Sequence, residues 1–192
     1  MSDLVKDLLQ DACRTKQKVL EDAQLVALIT EVMNVCIDAL HKGNKLLFAG
    51  NGGSASDAQH IAAELVGRYE QDRAGLPALA LTTNSSQVTA IANDYGYDCL
   101  FQRQVQALAS AGDVFFGLST SGNSRNVIQA IEQCKQQQVT TIGMTGQSGG
   151  QLATLCDYCI KVPSDNTARI QEVHITIGHI LCAGIESALF KQ

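Results

Sequence analysis

The stretch Lys45 to Leu65, KLLFAGNGGSASDAQHIAAEL, limits what this chain can fold into more than any other. Lys45 to Ala49 is a short apolar run of the length of a buried strand. Gly50-Asn51-Gly52-Gly53 lets the backbone turn sharply, with no Cβ to keep a ligand away. Ser54 or Ser56 is suited to cap a helix that follows. Strand, glycine turn and helix N-terminus in succession is how α/β folds hold anionic or polyhydroxylated ligands. No Lys-Ser or Lys-Thr follows the glycines, so this is not a Walker loop. Nor does the glycine spacing fit the dinucleotide fingerprint. His60 and Glu64 stand four residues apart and share one face of the helix.

Strand and helix signals alternate through the rest of the chain. Ala78–Thr82, Asp113–Ser119, Thr140–Thr145 and Tyr158–Val162 read as four further strands. Helices are expected from the Thr83–Ser86 turn to about Asn93–Gly96, over about Asp98–Ala109, over Ser124–Gln137, as a short turn at Leu152–Leu155, and from Thr167 to about Phe190. Such alternation predicts an α/β fold: a doubly wound, five-stranded parallel sheet with helices on both faces. Ahead of it, residues 3–41 carry helical spacing with a break near Glu21-Asp22, and Gly43 stands as the closing C′ residue. These two leading helices have no sheet of their own to cover, so their apolar faces are expected to meet other subunits. The 192 residues therefore read as one domain, with residues 1–43 serving assembly and 44–192 forming the α/β core.

Composition removes several classes. A net charge of −5 with no basic run argues against a nucleic-acid surface. No continuous apolar stretch of spanning length stands out, and the N-terminus lacks the apolar core of a signal peptide. The expectation is a cytoplasmic protein without membrane contact. Seven scattered cysteines are no disulfide framework. Cys156 and Cys159 form one C-x-x-C in a predicted strand, and are expected to be buried structural thiols.

A second loop carries chemistry. Leu118-Ser-Thr-Ser-Gly-Asn-Ser124 lies at the carboxyl end of a predicted strand and opens a helix. Its hydroxyls, backbone N–H groups and helix dipole make a phosphate cradle that needs no lysine. At this point the chain resembles the sugar isomerase (SIS) domain family. FAGNGGSASDAQHIAAELVGRY, IANDYGYD, LSTSGNSRNVIQAI and TARIQEVHITIGHI stand in the family's order, and the likeness covers essentially the whole length. It is nearest to the branch that interconverts sedoheptulose 7-phosphate and glycero-manno-heptose 7-phosphate, the first step of heptose-nucleotide synthesis for lipopolysaccharide core or another glycan.

The resemblance implies a flavodoxin-like core and a homotetramer with active sites where subunits meet. It implies that Asn51, Gly52 and Gly53 line the sugar, that Asn93 and Asp94 join the same pocket, and that Ser119, Thr120, Ser121 and Ser124 hold the phosphate. It also matches His60, Glu64, Gln171 and His179 to a zinc site, one ion per subunit. The spacing allows this: Gln171 and His179 are rotated by only roughly 80° around one helix. Glutamine is a weak zinc ligand, so spacing alone makes a modest case. His174 is turned roughly 140° from His179 and reads as structural.

Aldose–ketose isomerisation moves one proton between C1 and C2 through an enediol and another between the two oxygens. Glu64 and His179 are the natural pair for this, with a divalent ion steadying the enediolate. A lone pair held by zinc cannot take a proton, so the ion either shifts during turnover or orients rather than drives. Ala168 stands where some members of the branch carry an aspartate, which touches the proton relay and not the reaction class. The rival reading is a non-catalytic adaptor of the same family that binds the replication initiator DnaA. That branch lacks the glutamate and the second histidine and has arginine at the place of Ser121, whereas this chain keeps Glu64, His179 and Ser121.

Overall fold

The computed structural model describes residues 1–190. α1 (Ser2–Glu21) and α2 (Ala23–His41) lead the chain. Their break falls at Asp22, whose side chain accepts hydrogen bonds from the amides of Gln24 and Leu25 and so caps α2. Gly43, at φ +80°, ends α2 in the left-handed region that favours glycine. The core then runs β1 (Leu46–Gly50), α3 (Gly53–Val66), β2 (Ala78–Ala80), α4 (Ser85–Tyr95), a 3₁₀ turn, α5 (Leu100–Leu108), β3 (Val114–Leu118), α6 (Arg125–Gln136), β4 (Thr140–Thr145), α7 (Leu152–Leu155), β5 (Tyr158–Lys161) and α8 (Thr167–Phe190).

All five strands are parallel, in the order β2-β1-β3-β4-β5. Because side chains alternate across a strand, one sheet feeds two cores. Leu46 and Phe48 of β1, with Phe116 of β3, face α2, α3 and α8; the Phe48 and Phe116 rings stack 4.9 Å apart. Leu47 and Ala49, with Phe115, face α5, α6 and α7. At the foot of the sheet, buried Asp113 accepts from the Lys45 and Ser110 amides and pairs with the Lys45 ammonium at 2.6 Å. The expected strands are all present: β4 has the expected bounds, β1 is shifted by one residue, and β2, β3 and β5 are trimmed at their ends. Reversal of the winding between β1 and β3 opens a crevice at their carboxyl ends, the position where such sheets bind ligands.

Two expectations are corrected here. α2 and α8 are long and apolar enough to cross a membrane by length and composition alone. Isolated charges such as Glu31, Asp38 and Glu172 break each run to the eye without lowering its average enough. In the fold both helices spend apolar residues on the core, among them Val32 and Cys36 of α2 and Ile177, Leu181 and Ile185 of α8. The C-x-x-C thiols are half-buried rather than buried, with Cys156 just ahead of β5 and Cys159 within it, and both are free. Burial pushes the Cys156 thiol up to about 12, the neighbouring Cys159 adding to it, so it stays protonated and unreactive.

Candidate active site

Both sequence loops reach the crevice. After β1 the chain turns so tightly that a Cβ on Gly50 would meet Ser54, and Gly52 takes φ +56°. α3 starts at Gly53, capped by no side chain; Ser54 and Ser56 lie inside its first turn and are not its cap. The Asn51 amide is engaged through both its oxygen and its nitrogen. It exchanges two hydrogen bonds with buried Asn126, of 2.9 and 2.8 Å, and accepts a third from the Tyr97 hydroxyl at 2.9 Å. Asn51 thus ties the glycine turn to the start of α6, a bracing duty that spacing did not reveal.

The serine loop follows β3. Ser119 is buried, and its Oγ lies 2.8 Å from the Ser124 Oγ. Gly122 sits at φ +68°, pressed so closely on Gly149 that a Cβ would run into that residue's carbonyl oxygen. Ser124 precedes α6 without capping it, so the helix presents uncapped first-turn amides beside three hydroxyls. Thr120 and Ser121 line a hollow of about 320 Å³ that extends to Thr167 at the start of α8.

The titratable cluster forms where α3 crosses α8. Gly178 is set against Ile61, and a Cβ there would strike that side chain, so the helices approach closely. This brings His60 and His179 together: their Nε2 atoms are 3.0 Å apart, and His60 Nε2 is 3.2 Å from Glu64 Oε1. One ligand atom from each of the three lies within 4.8 Å of the others. Two imidazole nitrogens that close must share a proton or a cation. Around a tetrahedral zinc with bonds of about 2.0–2.1 Å, two nitrogens stand roughly 3.3 Å apart, so the residues fit such an ion with little movement. The Tyr69 ring stacks on His179, centroids 5.9 Å apart.

Gln171 lies beside this cluster, its side chain packed over Gly53 and donating to Asp57 Oδ1 at 3.3 Å. Asp57 went unnoticed in the sequence, although it stands three residues before His60 on the same helix. It is buried and its Oδ2 has no partner, an orphaned acceptor that a nearby cation would satisfy. Burial raises its carboxyl above the ordinary range, against the opposing pull of Gln171 and His60. Asn93 and Asp94 stand apart. They hydrogen-bond to each other at 2.8 Å on exposed α4, and Asp94 lines a separate hollow with Arg103. His174 is wholly buried, with Nε2 3.2 Å from the Thr145 carbonyl oxygen.

A glycine turn and a serine loop meeting at the switch point of a 2-1-3-4-5 sheet define a domain for small phosphorylated ligands. The SIS domain family model matches residues 9–146. The chain is 55% identical over 192 residues to the phosphoheptose isomerase of Aneurinibacillus thermoaerophilus, covering all of this chain and 97% of that one. It is 54% identical to phosphoheptose isomerase 2 of Campylobacter jejuni, covering all of this chain and 96% of the relative. The solved phosphoheptose isomerase of Neisseria gonorrhoeae superposes with a TM-score of 0.91 at 42% identity, over 97% of this chain and 98% of that chain. The chain belongs to the SIS domain family, and within it to the phosphoheptose isomerases.

Proposed function

We propose that the protein is an aldose–ketose isomerase that converts sedoheptulose 7-phosphate into glycero-manno-heptose 7-phosphate. The observation that carries this is the meeting of Glu64 with two histidines in a fold that also carries a serine loop built for phosphate. Ser119, Thr120, Ser121 and Ser124, with the first amides of α6, hold the phosphate, and the glycine turn lets the sugar lie against the backbone. Glu64 takes a proton from C1 of the ketose and returns it to C2. His179 carries the proton that leaves O1 to O2, so the enediol is neutralised at both ends. Tyr69, stacked on His179, keeps that ring in place.

His60, Glu64 and His179 would hold one zinc ion per subunit, with Gln171 as a fourth ligand. When bound, the ion supplies positive charge that favours the enediolate. Glu64 and His179 belong both to the ligand set and to the proton-transfer pair, so ion binding and turnover compete for the same lone pairs.

The working form is a homotetramer whose active sites lie where subunits meet. Leu4, Val5, Leu8 and Leu9 of α1 are each more than half exposed, and α1, α2 and α8 frame an apolar hollow of about 280 Å³. Asn93 and Asp94, outside their own chain's crevice, are then free to serve a neighbour's. Seven unpaired cysteines favour the reducing cytoplasm.

Incubation with sedoheptulose 7-phosphate, followed by NMR, tests the reaction. Wild-type protein should yield the aldose, and Glu64→Gln and His179→Gln should each lose about 10²–10⁴-fold in rate. Absence of aldose, with zinc supplied, would refute the assignment and turn attention to DnaA binding.

A further inference from the structure

Glu186 takes no part in the chemistry described so far, yet its buried carboxylate accepts four hydrogen bonds. It lies two helical turns beyond His179 on α8 and is 1% exposed. Its oxygens accept from the backbone amides of Tyr69, Glu70 and Gln71 at 3.1, 2.8 and 2.8 Å, and from Arg73 Nε at 2.9 Å. Arg73 is equally buried and faces the other way. Its Nη1 donates to the carbonyl oxygens of Leu65 and Gly67 at 2.7 and 3.1 Å, and its Nη2 to that of Glu64 at 2.9 Å.

Those carbonyls belong to the last turn of α3 and its C-cap, groups that a helix leaves without internal partners. One buried ion pair therefore touches both members of the Glu64/His179 pair at one remove. Arg73 grips the backbone of Glu64 itself. Glu186 pins the amide of Tyr69, whose ring packs on His179. A buried ion pair is a poor source of stability, because desolvation of both charges offsets most of their attraction. It is a good device for holding three segments in one geometry.

We propose that Glu186 is a positioning residue for proton transfer, acting through Arg73 on Glu64 and through Tyr69 on His179. The proposal rests on the isomerase reading, since it assigns work to that reading's acid–base pair. It requires neither Glu186 nor Arg73 to meet the substrate.

Removing one partner alone would strand a buried charge, so the test uses the double variant Arg73→Met/Glu186→Gln and, separately, Tyr69→Ala. Tyr69 is half-buried on a loop and packs on the edge of the core, outside its fully buried residues. The readouts are kcat and KM for sedoheptulose 7-phosphate, per folded protein, below the melting transition. Misplacement of catalytic groups by an ångström costs on the order of 10²-fold in rate. The double variant should lose kcat by about that factor, and Tyr69→Ala by at least about tenfold, with KM within about threefold of wild type. A purely structural clamp would lower the melting temperature and leave kcat unchanged. A folded double variant with wild-type kcat overturns the proposal. If the double variant does not fold, wild-type kcat in Tyr69→Ala overturns it. Inactive wild-type protein would instead overturn the isomerase assignment beneath it.

Discussion

At the scale of single residues, burial separates the histidines by duty. His60 and His179 meet Glu64 at a partly open helix crossing, whereas His174 has no solvent access and only the Thr145 carbonyl to bond. A carbonyl can only accept, so Nε2 carries the proton and Nδ1, without a partner, is left bare. Burial pushes His174 down to about 4, overriding the opposing hydrogen bond. In the unfolded chain it would titrate near 6.5. Between those values the unfolded state binds a proton that the folded state refuses, so stability falls as pH drops through that window. The loss approaches about 3 kcal/mol. Urea melts from pH 7 to pH 4.5 should show it, and His174→Gln, which keeps a donor for Thr145, should lack this part of the slope. Equal slopes in the two proteins would contradict the account. Helical spacing had already turned His174 away from the site. Spacing did not reveal Asp57, Asn126 or Tyr97, because their importance lies in contacts across the sheet's upper edge. Asn51 and Asn126 are 75 positions apart and bond side chain to side chain.

At the scale of elements, the alternation of apolar runs and turns was enough to place each strand and helix within a few residues. Parallel strands buried on both faces read as continuous apolar runs, and β1 and β3 are of that kind. The ends were less legible. α3 starts without a side-chain cap because its N-terminus faces the crevice, so the usual serine signal misled by one or more positions. α1 is little explained by its own chain: Thr15 is its one buried residue, and Arg169 holds it at the Leu8 carbonyl oxygen over 2.6 Å. In the proposed tetramer its exposed leucines would meet neighbouring subunits. If that tetramer forms, deleting residues 1–20 should convert it to smaller species in light scattering, with the α/β core still folded by circular dichroism. An intact tetramer after the deletion would count against that role.

At the scale of the whole molecule, topology does the assembling. Strand order places the glycine turn and the serine loop side by side, and the close α3–α8 crossing at Gly178 brings His60, Glu64 and His179 together. The sequence shows the loops and the pairs but not the distances between them, which depend on a fold that returns α8 across α3 more than 100 residues later. In the proposed reaction these groups move protons, not hydride. Glu64 keeps about a quarter of its side chain exposed, so a proton it carries can exchange with water during turnover. The most direct test is to run the conversion of sedoheptulose 7-phosphate in deuterium oxide and examine C2 of the aldose by NMR. Proton transfer through an enediol predicts deuterium at C2 in the wild-type product, and a Glu64→Gln protein that forms neither labelled nor unlabelled aldose at a comparable rate. Aldose carrying only protium at C2, or undiminished turnover in Glu64→Gln, would contradict it.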